Sequence, residues 1–457
     1  MRCMGAAPNW SNLAIVRASA AKRLWLGAAG TAIFIATVWT THALAARSTT
    51  HAPGFGLDFI AFYTAGSLVD QGRLGELYNL ESVHQYQREL SAANHFDIGR
   101  AYGPWWNPPF YALVFAPLAR LPYLTASAIW IAINLVCFGF ACFLLCRFLP
   151  GETEWQVRAL VPVLSILSAP FILAISHAQN TCTSLLLLTA TVTFWRNRGP
   201  VLAGMVGGLL FYKPQVAAVL AVVLVIDLGW RAAIGYALTG AALLATNLMA
   251  LPGTLTDYLH RLPKNVHSFQ TLTAYPWEQH VTLKAFWRLL LQGHTLGDAT
   301  VIVTILSIAS TAMIGIALVW LAVRMRITRR TIADDGQPGR RRDGLIAATM
   351  TATPLLMPFY FDYDLLLLAV PAVLFAADRM RQPQTRFRWF DRSIVILWTV
   401  LYAWQMINTD VGAMFHLNLS VLLLAALASM MIVRSSRTEM LDAIGEDSVQ
   451  PSLRRAA

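Results

Sequence analysis

Charge is what this chain is short of. Only 13% of its 457 residues are Asp, Glu, Lys or Arg, where soluble domains carry about 25%. That deficit excludes an ordinary soluble enzyme and a highly charged disordered chain. Cysteine is sparse too: five residues, Cys3, Cys137, Cys142, Cys146 and Cys182, with no CxxC pair and no His/Cys spacing that suits zinc. A disulfide framework and a zinc site are therefore not expected. All but Cys3 fall in apolar runs, where a thiol acts as a small hydrophobe. No HExxH or carboxylate-rich box occurs, so neither a protein-built metal site nor a cofactor is expected. Also missing is a long polar stretch. The two longest outside the apolar runs, 46–123 and 251–298, are too short for a large catalytic domain.

Apolar residues fill the chain instead, at 56% of the sequence with mean hydropathy +0.53. A bilayer core of about 30 Å asks for about 20 apolar residues per helix. Leu24–Leu44, Leu124–Cys146, Ala232–Ala250, Val301–Val323 and Leu417–Val433 approach or meet that length. The expected fold class is an all-α polytopic membrane protein. The net charge of +11 does not point to nucleic acid, because the basic residues sit in short loops. Arg324, Arg326, Arg329, Arg330 and Arg340 to Arg342 form one cluster, and Arg379, Arg381, Arg386, Arg388 and Arg392 another. This is the pattern of cytoplasmic loops.

The first apolar run follows Arg17, Lys22 and Arg23 and outlasts the roughly 7–15 residues of a signal-peptide core, so it reads as an uncleaved span. Further runs give spans near 124–146, 158–176, 179–195, 199–212, 214–229, 231–250, 299–323, 344–359, 361–378, 393–409 and 413–433. The expectation is about twelve helices (10–13) in one transmembrane domain over 24–433, by the length rule above. Residues 1–23 and 434–457 become cytoplasmic tails, the second without regular structure. Pro108, Pro109, Pro117 and Pro122 make Pro109–Leu121 an interrupted, re-entrant or interfacial segment rather than a span. The first outer loop is expected to hold interfacial helices. In this layout the unusual polar groups all fall on the outer face, and charged groups beside spans mark functional sites by default.

Four constellations carry those groups. Asp58 opens Asp58-Phe59-Ile60-Ala61-Phe62-Tyr63. It fits two roles: a cap on the following helix, or a general base toward a hydroxyl, with Tyr63 nearby. Trp105-Trp106-Asn107-Pro108-Pro109 fits an aromatic belt or a platform for a sugar or prenyl chain. His177, Gln179 and Asn180 interrupt two apolar runs. Lys213, between a Gly-rich helix and Pro214, is either snorkelling or binding phosphate. Asp362 and Asp364 cannot share one face of a regular helix; one is expected to cap and the other to face a polar cavity. The 251–298 loop adds Arg261 and Lys264 as further cations, and His260, His267 and His280 as exposed loop residues.

In this order the patches resemble glycosyltransferase family 87: an Asp in a Tyr-containing segment, Gly75–Leu77 leading to Tyr78, a Pro-Pro box, a Gln-Asn element, Lys213-Pro214 and a late Pro358…Tyr363-Asp364 box. The resemblance spans roughly 55–375. It implies a C-type glycosyltransferase architecture with its active site at the outer face of a bacterial cytoplasmic membrane. It also implies a polyprenyl-phosphate sugar donor, a lipid or glycan acceptor and an inverting transfer. Asp58 would be the base, and Lys213, with Arg261 and Lys264, would meet the donor phosphate. Tyr63, Trp105, Trp106, Asn107, His177, Gln179, Asn180, Asp362 and Asp364 would bind substrate. The mannose-transferring branch has Trp and His where this chain reads Phe361-Asp362-Tyr363-Asp364, which leaves the sugar open among hexoses and pentoses. The alternative is a transporter or flippase of a lipid-linked or anionic substrate, which predicts polar groups at mid-membrane and repeat symmetry.

Overall fold

A computed structural model describes residue 27 and residues 58–94, 102–197, 199–331, 338–381 and 388–454. The expected first span near 24–45 lies, Gly27 aside, outside the described residues. Among those described, the chain is all-helical; no strand forms, and one isolated bridge joins His280 to Phe361.

Helices α1 (Phe59–Asp70) and α2 (Leu80–Ala93) come first. α2 has the amphipathic pattern of a surface helix and is capped by Asn79, whose side chain accepts from the Glu81 and Ser82 N–H groups. α1 is buried on all sides rather than along one face. A Cβ on Gly66 would lie 2.5 Å from the Phe115 backbone, so only glycine lets α1 press so closely on the segment that follows. That segment is two 3-10 turns, Pro109–Val114 and Leu118–Arg120, as its prolines dictate.

Next come α3 (Tyr123–Cys146), α4 (Trp155–Ile166), α5 (Ala169–Ser176), α6 (Thr181–Arg196), α7 (Pro200–Gly208), α8 (Pro214–Leu228) and α9 (Trp230–Ala250). α7 and α9 cross where Gly204 meets Gly235; a Cβ on Gly204 would overlap the Ala232 carbonyl, the close small-residue packing that membrane helices use. The loop expected at 251–298 contains α10 (Thr254–Leu272) and α11 (Leu283–Gln292). The remaining helices are α12 (Val301–Thr331), α13 (Pro338–Leu356), α14 (Ala369–Arg381), α15 (Arg388–Trp404), α16 (Asn408–Phe415) and α17 (Leu419–Arg454). α17 continues into the tail that was expected to lack regular structure.

Four helices, α3, α9, α12 and α17, are long and apolar enough to cross a membrane alone. Two bent pairs raise the number to six if each is one span: α4–α5, bent 52°, and α15–α16, bent 78°. The count is thus four to six among the described residues against about twelve expected. Part of the difference lies in short apolar helices: α7, which with the 3-10 turn after it covers Pro200–Tyr212, and α8, of 15 residues, fall below the roughly 20 that a 30 Å core asks for. At the first bend Ser168 caps α5, with Pro170 in its first turn. At the second, the Asn408 side chain accepts from Trp404 Nε1 at 2.8 Å and from the Ser420 N–H at 3.2 Å, so it replaces helical bonding with a turn. Leu124, Phe140, Ile305 and Ile308 stay exposed on the outer surfaces of α3 and α12, as lipid-facing side chains do.

Candidate active site

Asp58 stands at the start of α1, but its side chain makes no cap hydrogen bond. Of the two roles open in the sequence, the geometry therefore leaves the carboxylate available for another. Its Oδ2 accepts from Gln179 Nε2 at 2.7 Å. Nδ1 of His177 lies 3.1 Å from the same oxygen and donates to it when it carries a proton. Both partners come from the turn joining α5 to α6. Ala178 between them has φ +52°, a left-handed conformation that costs a non-glycine residue about 1–2 kcal/mol. Trp130 Nε1 fixes the turn by donating to the Ala178 carbonyl at 2.9 Å. The Asp58 and His177 side chains are 40% and 41% exposed, so the carboxylate is open to an incoming group. Burial pulls the His177 imidazole toward the neutral form; its hydrogen bond to Asp58 and the charges of Asp58 and Asp362 outweigh that, and its pKa ends above the ordinary 6.5.

The late box opens a 3-10 helix, Asp362–Leu368, and its two acids part. Asp364 turns inward: its Oδ1 accepts from Lys213 Nζ at 2.6 Å and from Thr181 Oγ1 at 2.8 Å. Lys213 therefore does not snorkel. Its charge is matched by Asp364 in a pair whose side chains are 12% and 10% exposed. Asp362 accepts from the Tyr363 N–H at 2.8 Å and from Thr409 Oγ1 at 3.2 Å. It faces a cavity of about 210 Å³ whose walls include His177, Tyr363, Gln405, Thr409 and Asp410. Burial pushes the Asp362 carboxyl up to about 6, with the Tyr363 N–H, His177 and Thr409 opposing.

Other residues singled out in the sequence have packing or bonding roles of their own. Tyr63 donates to the Leu121 carbonyl at 2.8 Å and belongs to the packing of α1. Trp105 is 3% exposed, stacked on Tyr111 and edge-on to Phe62, so it is a packed wall rather than an open platform. Trp106 packs against Phe269 of α10, and the Asn107 carbonyl accepts from Tyr78 at 2.7 Å. Asn180 is buried at the start of α6 without capping it. Arg261 pairs with Asp257 one turn away on α10, 44% exposed, and Lys264 is exposed on the same helix. His280 is not an exposed loop residue. It is 1% exposed, stacked on Tyr275 and against Phe361, and burial pushes its imidazole down to about 3.

Sequence reasoning missed Gln405, Thr409 and Asp410. Their signal is the polar Asn408-Thr409-Asp410 within apolar 393–433, where the spans expected near 393–409 and 413–433 took Asn408 and Thr409 as the end of a helix. Among the described residues, no three His, Cys, Asp or Glu side chains are placed to hold a metal ion.

The family model described as glycosyltransferase family 87 matches residues 105–334. That stretch contains His177, Gln179 and Lys213 but neither Asp58 nor the late box. No curated protein and no solved structure matches the chain.

Proposed function

The chain belongs to glycosyltransferase family 87, and from that premise we propose an inverting sugar transfer from a polyprenyl-phosphate donor to a lipid or glycan hydroxyl. The reaction runs at the outer face of the membrane, with Asp58 as general base. The observation that carries this reading is the Asp58 carboxylate itself, oriented by Gln179 and His177, half open, and spared from capping. A base must come within hydrogen-bond reach of the proton it takes. With both protein donors on Oδ2, Oδ1 is the oxygen offered to the acceptor. The acceptor O–H gives its proton to Asp58 as its oxygen bonds to the anomeric carbon, the bond from that carbon to the phosphate oxygen breaks, and polyprenyl phosphate departs with the electron pair.

A lipid-linked donor suits the architecture. Among the described residues no strand forms, so there is no doubly wound sheet of the kind that holds nucleotide ligands. A donor anchored in the bilayer reaches a site built from helix ends directly. Lys213, a buried cation, serves the leaving phosphate by sharing Nζ between that phosphate and Asp364. Arg261 and Lys264 on α10 add exposed positive charge along the approach.

The test compares wild type with Asp58→Asn in nanodiscs, supplied with radiolabelled polyprenyl-phosphate sugars and a membrane-lipid extract. Transfer should fall by about 10²–10⁴-fold, the usual contribution of a general base, with donor binding kept. Equal transfer by the two proteins sinks the assignment.

A further inference from the structure

We propose that the cavity enclosed by the α5–α6 turn, the late box and the α15–α16 bend is a subsite for one uncharged sugar ring, separate from the place where phosphate binds. This deepens the transferase reading and rests on it for the source of the ring. At about 210 Å³, the cavity falls below the roughly 300–1,000 Å³ of pockets that take drug-sized ligands, so it suits a single ring rather than a headgroup with its chain.

The lining fixes the chemistry. Asp362 and Asp410 are acceptors, and Gln279, Gln405 and Thr409 both donate and accept. Tyr363 adds an aromatic ring of the kind on which the C–H face of a sugar packs. His177 is the only side chain of the lining that can carry positive charge. Two carboxylates with a single titratable cation repel a phosphate, while sugar hydroxyls, which donate and accept, match them.

Position agrees with this assignment. His177 is shared: it forms part of the cavity wall and touches Asp58, so a ring seated there lies one side chain from the base. Most of the polar lining, Asp362, Gln405, Thr409 and Asp410, lies beyond the matched stretch 105–334. The ring comes either from the donor or from a glycan acceptor, and both present the same hydroxyl chemistry.

The experiment uses the full chain in nanodiscs with Asp410→Asn and Thr409→Val. Asp410 is exposed at the rim, so the first variant tests the site with little risk to folding. Steady-state transfer is measured with donor and acceptor varied separately, and methyl glycosides are tested for binding by saturation-transfer NMR. The expected result is a KM raised about tenfold, the scale of one lost hydrogen bond to a charged group, with kcat changed much less. A rise for the donor places the donor's sugar in the cavity, and a rise for the acceptor places the acceptor's. Methyl glycoside binding should weaken in both variants and persist in Asp58→Asn, and inorganic phosphate should not compete. If both KM values and glycoside binding stay within twofold of wild type, the subsite is wrong even where transfer proceeds. If wild type transfers nothing yet binds glycosides in a manner sensitive to Asp410, the subsite stands and the transferase reading fails.

Discussion

Helix α6 carries a cluster of charged side chains at each end, about 24 Å apart at 1.5 Å per residue, and the two are built on opposite principles. At the Arg196 end every acid meets a guanidinium. Arg196 forks onto Asp343 at 2.7 and 3.0 Å, Arg381 reaches the same acid, and Arg434 spans Asp378 and Asp391 at 2.7 and 2.8 Å. The Asp343 side chain is 2% exposed. At the Thr181 end Asp58 is held by an amide and an imidazole and keeps 40% of its side chain in the open. The planar guanidinium fork fits a carboxylate that must hold helices together. On the proposed reading Asp58 takes a proton, so it cannot be so tightly matched, and the donors that orient it leave one of its oxygens open. The Lys213–Asp364 pair lies between the two kinds: buried as at the first end, yet adjacent to the second.

The sharpest way to break this comparison is Asp58→Asn. It should cost about 10²–10⁴-fold in transfer while the thermal midpoint barely moves; a large fall in stability would make Asp58 structural and erase the distinction. Arg434→Ala should do the reverse. Removing one partner of a buried pair costs about 3–5 kcal/mol, so the unfolding midpoint drops while activity per folded molecule persists. Lys213→Met should be intermediate, near 3 kcal/mol by the same reasoning, and the pair separates structure from chemistry. The double variant Lys213→Met with Asp364→Asn should recover much of the stability; if it recovers activity as well, Lys213 has no part at the phosphate.

The smallest effect concerns pH. The Asp362 carboxyl is raised from 3.8 to about 6, so the folded state binds its proton more tightly than the unfolded chain. The stability this adds is complete below about pH 3.8 and is lost as pH rises through about 6, amounting to less than about 3 kcal/mol. Midpoints measured from pH 4 to 7 should fall less steeply in Asp362→Asn than in wild type; parallel curves would place Asp362 in water.

The all-helical membrane class was legible from composition alone, because nothing else explains so little charge beside so many apolar runs. The two bends were less so. Ser168 with Pro170 is a local signal, but the break at Asn408 is made by side-chain bonds to Trp404 and Ser420 that no periodicity reveals. Tryptophans posed a similar difficulty: a buried Trp105 and a half-buried Trp106 read alike in sequence, and only packing separates them. His177 and Gln179 stood out because polar residues interrupted an apolar run, yet their shared target 119 and 121 residues earlier is a tertiary fact. The pairing of Lys213 with Asp364, 151 residues apart, is of the same sort.

Ala178 has a consequence for anyone who would redesign this protein. Its left-handed backbone is what brings side chains on either side of it to one oxygen, and its methyl is 2% exposed, with no room to grow. Glycine at 178 would relieve the conformational penalty while freeing the hinge between His177 and Gln179. A more heat-resistant protein and a looser jig for the carboxylate would arrive with the same substitution, so stability screens at this position would select against the geometry they were meant to preserve.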